Sequence, residues 1–170
     1  MMKRIFLSLA GLVVVASAQA AEVKFSRAGV LLSPPDDWVY SEDGTKAFLL
    51  NPDKSGKIQA FATQLPKVPL NDVVQAYYDE TFKDKASPRP GHPVVLLEKG
   101  EFVTAGGVKG VKGAFGYAQG TNGAPEVWTW RYFFPRADGK YVSVCSYVYG
   151  DAERAKAQEA IIAETLQIAP

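Results

Sequence analysis

The stretch "EVWTWRYFFPRADGKYVSVCSYVYG", residues 126–150, reads as two strands joined by a tight turn. Successive side chains on a strand point to opposite faces. Trp128, Trp130, Tyr132 and Phe134 therefore alternate on one face, and Val142, Val144 and Val148 alternate in the partner strand. Val127, Phe133, Tyr141, Cys145, Tyr147 and Tyr149 occupy the opposite faces. "PRADG" supplies the turn residues between them. Neither face is polar, which predicts a sheet at least partly covered on both sides. Gly150 breaks the second strand and Asp151 can cap a helix over residues 152–166, with Ala155, Ile162 and Leu166 on one stripe.

Upstream, "VVLLEKGEFVT" and "VKGVKGAFGYAQ", residues 94–104 and 108–119, form a second hairpin across Ala105-Gly106-Gly107. The three glycines of its second strand mark bulges or close packing. Residues 86–93, "ASPRPGHP", are a proline-stiffened loop. Before it, Val73, Val74, Tyr77, Thr81 and Phe82 recur at helical spacing, so a helix is expected over residues 72–85, with Asn71 as its cap and Leu70 as its staple. Residues 46–50 and 57–65 pair around "NPDKSG", and a hairpin turn around Asp43-Gly44 leads back to Trp38-Val39-Tyr40. Pro34-Pro35-Asp36-Asp37 is a turn after two short strands, residues 23–26 and 30–33.

The order is strands, helix, four strands, helix. Hairpins on short connections argue for an α+β domain: an antiparallel sheet with two main helices packed on it. "FSRAGVLLSPPDDWVYSEDGTKAFLL", with its Pro35-Asp36-Asp37-Trp38 turn, resembles the opening of the PsbP-like families. The central helix "LNDVVQAYYDETFKD", the glycine-rich "VTAGGVKGVKGAF" and the closing strand–helix unit are similar to that layout as well. This superfamily includes PsbP of the oxygen-evolving complex, the Ran-binding Mog proteins and the periplasmic DcrB-type proteins. The resemblance implies an αβα sandwich around a central antiparallel sheet and a non-enzymatic, accessory or docking role. It transfers no binding residue to this chain.

The first twenty residues, "MMKRIFLSLAGLVVVASAQA", have a charged start at Lys3 and Arg4 and an apolar run of about a dozen residues, the pattern of a secretory leader. That run is shorter than the roughly 20 residues a membrane span needs. Ala18-Gln19-Ala20 places the cut between Ala20 and Ala21, and the layout points to the periplasm. A single PsbP-like domain, residues 21–170, remains, with no membrane span. Without Lys3 and Arg4 the 17 basic residues nearly balance the 18 acidic ones. A near-neutral chain has no electrostatic reason to bind nucleic acid.

The residue inventory excludes several chemistries. One histidine and one cysteine cannot form an ordinary zinc site. "NPDKSGK" sets Lys57 where a calcium loop needs an oxygen. Cys145 lies mid-strand, where burial keeps a thiol inert. His92 lies in a loop, and no G-x-S-x-G elbow or phosphate loop exists. No catalytic, metal or cofactor residue is assigned, and no cofactor is expected. The leading expectation is an exported accessory or docking protein that binds another envelope protein, with Asp36, Asp37, Pro88, Arg89, Pro90 and His92 as contact residues. The alternative is a binder of a small apolar or carbohydrate ligand through a pocket lined by Trp128, Trp130 or Tyr132.

Overall fold

The computed structural model describes residues 22–43, 46–63, 65 and 68–168. The expected leader, its cut at Ala20 and Ala21, and Gly44 lie outside the described residues.

The strands are β1 (Val23–Phe25), β2 (Val30–Leu32), β3 (Val39–Asp43), β4 (Lys46–Leu50), β5 (Lys57–Thr63), β6 (Val94–Val103), β7 (Lys109–Tyr117), β8 (Glu126–Pro135), β9 (Tyr141–Tyr147) and β10 (Gln167–Ile168). The helices are α1 (Val73–Thr81) and α2 (Ala152–Thr165). Seven strands form one antiparallel sheet in the order β3-β4-β5-β9-β8-β7-β6, and β1-β2-β10 form a small second sheet. Two local meanders, β3-β4-β5 and β6-β7-β8-β9, are joined by the β5–β9 pair, which runs from Lys57↔Tyr147 to Thr63↔Tyr141.

Strand alternation divides the core in two. Tyr132, Phe134, Val142 and Val144 face α2 and the small sheet, packing with Phe25, Leu32 and Ile162. Phe133, Val111 and Phe115 face α1, packing with Val73, Val74 and Tyr77. The two faces of the hairpin at residues 126–150 are thus covered by different layers, and the molecule is the expected α+β sandwich with helices on both sides of an antiparallel sheet.

Three local expectations change. The helix expected over residues 72–85 is shorter. Its first turn, Leu70–Asp72, takes the 3-10 form, with Asp72 N donating to Pro69 O, and Asn71 makes no capping bond. Both Phe82 N and Lys83 N donate to Tyr78 O, which closes the helix after Thr81. Phe82 then leaves the helix to pack on Phe115 and Trp128. On α2, Asp151 caps as expected, accepting from Arg154 N at 2.9 Å. Ile162 and Leu166 of the expected stripe are buried, but Ala155 is only half-buried, and Gln158 and Ile161 complete the buried face.

The third change is at Trp128. Phe115 pairs with Thr129 and Gly116 with Val127, so Trp128 is the extra residue of a β-bulge. A one-residue insertion moves the side chain to the other face. Trp128 therefore leaves the face of Trp130, Tyr132 and Phe134. It packs on the α1 side against Phe82 and Tyr147, with ring centroids 6.0 and 6.3 Å apart.

Candidate functional site

Cys145 sits in the middle of β9 with no exposure, in register with Gln59 of β5 and Arg131 of β8. Burial raises the thiol pKa, opposed in part by the Arg131 charge and by Ser143, whose Oγ lies 4.0 Å from Sγ. His92 is exposed at the far edge of the sheet, its ring 6.4 Å from Tyr117. Thiol and imidazole are therefore held apart by the sheet itself. A maleimide reagent is expected to label Cys145 slowly in the native protein and fully in denaturant, and Cys145→Ala to cost about 1 kcal/mol for a partly lost packed side chain. Rapid native labelling would contradict this burial.

The expected contact residues fall into two groups. Asp36 and Asp37 are exposed in the turn before β3. Pro88, Pro90 and His92 are exposed in the loop before β6, and Arg89 is half-buried there. Both segments lie at the same end of the large sheet but at its opposite edges. Six strand spacings of about 4.8 Å put them on the order of 29 Å apart. The structure does not bring them into one patch.

The loop over residues 86–93 is internally tied. Ser87 Oγ donates to His92 O, Arg89 N donates to Ser87 Oγ, and His92 N donates to Arg89 O. Arg89 is its anchor. Its guanidinium donates to both oxygens of Glu126 at 2.9 and 3.0 Å and stacks on Tyr117, 4.2 Å from the ring centroid. The hydrogen bond to Arg89 holds the Glu126 carboxyl below its ordinary 4.5. That pin is present at neutral pH and is lost as the pH falls through the lowered value. Arg89 is thus engaged within the chain, and the free face of the loop is Pro88, Pro90, Gly91 and His92.

The three aromatics expected to line a ligand pocket are dispersed. Tyr132 has no exposure, and its hydroxyl donates to Glu159 at 2.9 Å, beside the Lys112–Glu159 pair. Trp128 is on the other face. Trp130 lines a groove of about 390 Å³ with Val127, Val148, Ala155 and Glu159.

A larger feature was not anticipated. The β4–β5 register covers only Leu50↔Lys57, Leu49↔Ile58 and Phe48↔Gln59, and beyond the last pair, toward Ala47 and Ala60, the two strands diverge. A cleft of about 640 Å³ opens between Lys46 and Ala47 on one side and Ala60, Phe61 and Ala62 on the other. Phe25, Arg27 and Ala28 of the β1–β2 turn close one wall, and Tyr40, Gln59 and Tyr147 complete the lining. The volume is in the range of small-molecule sites.

Behind this cleft lies Arg131, 7% exposed. Its side chain crosses β9, placing the guanidinium carbon 5.2 Å from the Phe61 ring centroid and 4.7 Å from that of Tyr77. Its guanidinium makes a long hydrogen bond from Nη1 to Ser143 Oγ at 3.5 Å and a side-chain hydrogen bond with Tyr147, and Nε has no acceptor among the described residues. No carboxylate of the described residues pairs with it. Burial pushes the Tyr147 phenol beside it up to about 12. The signal in the sequence was the lone cation in "WTWRYFF", at an inward-facing strand position. Among the described residues no group of three or more His, Cys, Asp or Glu side chains could hold a metal, and no helix is long and apolar enough to cross a membrane.

No protein-family model matches the chain, and no curated protein matches it. Solved structures do. A partial likeness links the chain to a Bacteroides thetaiotaomicron protein, with 20% identity over 89% of this chain and 49% of that one, at a TM-score of 0.43. The solution structure of cyanobacterial PsbP (CyanoP) from Synechocystis sp. PCC 6803 superimposes over 94% of this chain and 98% of that one, with a TM-score of 0.61 at 11% identity. A likeness over nearly the full length of both chains, at an identity too low to carry function, assigns the architecture: this chain has the PsbP-like α+β fold.

Proposed function

We propose that the protein is an exported, periplasmic, non-enzymatic accessory protein that docks onto another envelope protein through the edge of the sheet that carries residues 86–93. The observation that carries this reading is the tied loop. Three prolines, the Ser87–His92 bridge and the bidentate Arg89–Glu126 pair hold an exposed segment in one conformation before any partner arrives. Ordering a free loop costs roughly 1–2 kcal/mol per residue in backbone entropy. A segment already ordered in the free protein loses less on docking. The accessory role fits the PsbP-like fold, and the leader pattern supports export.

The test uses a photo-reactive residue at Ala118, an exposed neighbour of His92 and Pro93. In cells, the exported chain should begin at Ala21 by mass and form one discrete crosslink to an envelope protein. Replacing residues 86–93 with eight Gly and Ser residues should abolish the crosslink while the circular dichroism spectrum is kept. Cys145→Ala should leave it intact. An undiminished crosslink in the loop variant, or a mass that retains Met1, would overturn the reading.

A further inference from the structure

We propose that the cleft between β4 and β5 is a binding site for a small organic anion with an apolar or aromatic body. This goes beyond the docking reading, because the cleft lies at the opposite end of the strands from residues 86–93 and several strands away.

The walls fit the body of such a ligand. Phe25, Ala28, Tyr40, Ala47, Ala60 and Phe61 supply apolar surface, and burial of apolar area is the general driving force. The charges fit its acid group. The described lining residues include the cation Lys46 and no carboxylate. The inner wall at Gln59, Phe61 and Tyr147 stands between the cleft and the Arg131 guanidinium. A cation buried this deeply without a carboxylate is costly to the fold, because its desolvation is not offset by a counter-charge. An anion in the cleft would supply that counter-charge across a low-dielectric wall, where the attraction is several times stronger than through water.

Hydrogen-bond donors converge on the same end. The Gln59 amide oxygen accepts from Tyr147 Oη at 3.5 Å, and the amide nitrogen has no acceptor among the described residues. The backbone of Ala60, Phe61 and Ala62 pairs with β9 on one side and has no strand partner among the described residues on the cleft side. The divergence of β4 from β5 thus does two things at once. It opens the volume, and it frees backbone N–H groups that a carboxylate or sulfonate can use.

Two fluorescent probes separate charge from apolar fit. 1-Anilinonaphthalene-8-sulfonate carries an acid group, and N-phenyl-1-naphthylamine has nearly the same aromatic body without it. Titrated into the folded mature chain, the sulfonate should bind saturably at one site, at least about tenfold tighter than the neutral probe, as expected for one charged interaction in a partly desolvated site. Ala62→Trp, at an exposed lining residue, should block both probes. Arg131→Met should weaken the sulfonate by about tenfold and leave the neutral probe unchanged. The loop 86–93 replacement should change neither. Equal binding of the two probes, no saturable binding, or sulfonate binding indifferent to Ala62→Trp would overturn the proposal. The comparison of probes on the wild-type chain decides the matter even if Arg131→Met does not fold.

Discussion

Gly116→Ala should destabilise the protein by at least about 3 kcal/mol, the range of a severe overpacking defect, and lower its Tm by about 6–12 °C. A Cβ on Gly116 would lie 2.0 Å from Glu126 O and 2.9 Å from both Glu126 C and Val127 Cα. These are backbone atoms of the neighbouring strand, so no rotamer change relieves the clash. The crowding has a structural source. The bulge at Trp128 draws the start of β8 against β7, and Gly116 is where they meet. Shifting the strand to make room would unseat the bulge and, with it, Trp128 from Phe82. Gly100→Ala is the matched control. It also lies within a strand, but a Cβ there meets nothing within 4 Å. Its stability should be unchanged or raised by up to about 1 kcal/mol, since alanine loses less backbone freedom on folding than glycine. Urea unfolding of the two variants checks this. Similar losses at both positions would show that Gly116 is not tightly packed.

Phe133→Ala should cost about 3–5 kcal/mol, the usual penalty for truncating a fully buried aromatic. Phe133 has no exposure and, alongside Arg131, carries the long hairpin onto α1, with its ring 5.2 Å from that of Tyr77. Tyr77 in turn contacts Phe82 and Phe115, so one truncation opens a cavity under the whole aromatic group. Phe82→Ala, at a half-buried ring on the rim of the same group, should cost less than half as much. Chemical denaturation of the two variants gives the comparison. An equal loss at Phe82 would place the centre of that core at the rim rather than beneath α1.

Much of the site was beyond sequence reasoning because its contacts join residues far apart in the chain. Asp36, Asp37, Pro88, Pro90 and His92 were legible as exposed loop residues because proline and turn chemistry are local. The role of Arg89 was not, because its partner, Glu126, lies 37 residues away. Trp128 and Trp130 were assigned to one face by strict alternation. The bulge that separates them depends on which strand lies opposite, and no local pattern encodes that.

The sequence by itself determined the hairpins, the two helices and the α+β class. Each rests on a period of two or of 3.6 residues with glycine, proline or aspartate at the ends, and those preferences act over a few residues. The start of α2 at Asp151 is one such case, where a single carboxylate meets a backbone N–H three residues on. Tertiary structure alone decided the rest. It joined β5 to β9 across some eighty residues and pulled the start of β4, Lys46 and Ala47, away from β5. It also laid Arg131 across Cys145 toward the opening. Those outcomes follow from how distant surfaces pack: the small β1–β2–β10 sheet packs with α2 over one face of the large sheet. Its β1–β2 turn, Phe25 to Ala28, forms one wall of the space that β4 leaves. The cleft is a property of that long-range packing, and so it has no signature in any one stretch of the chain.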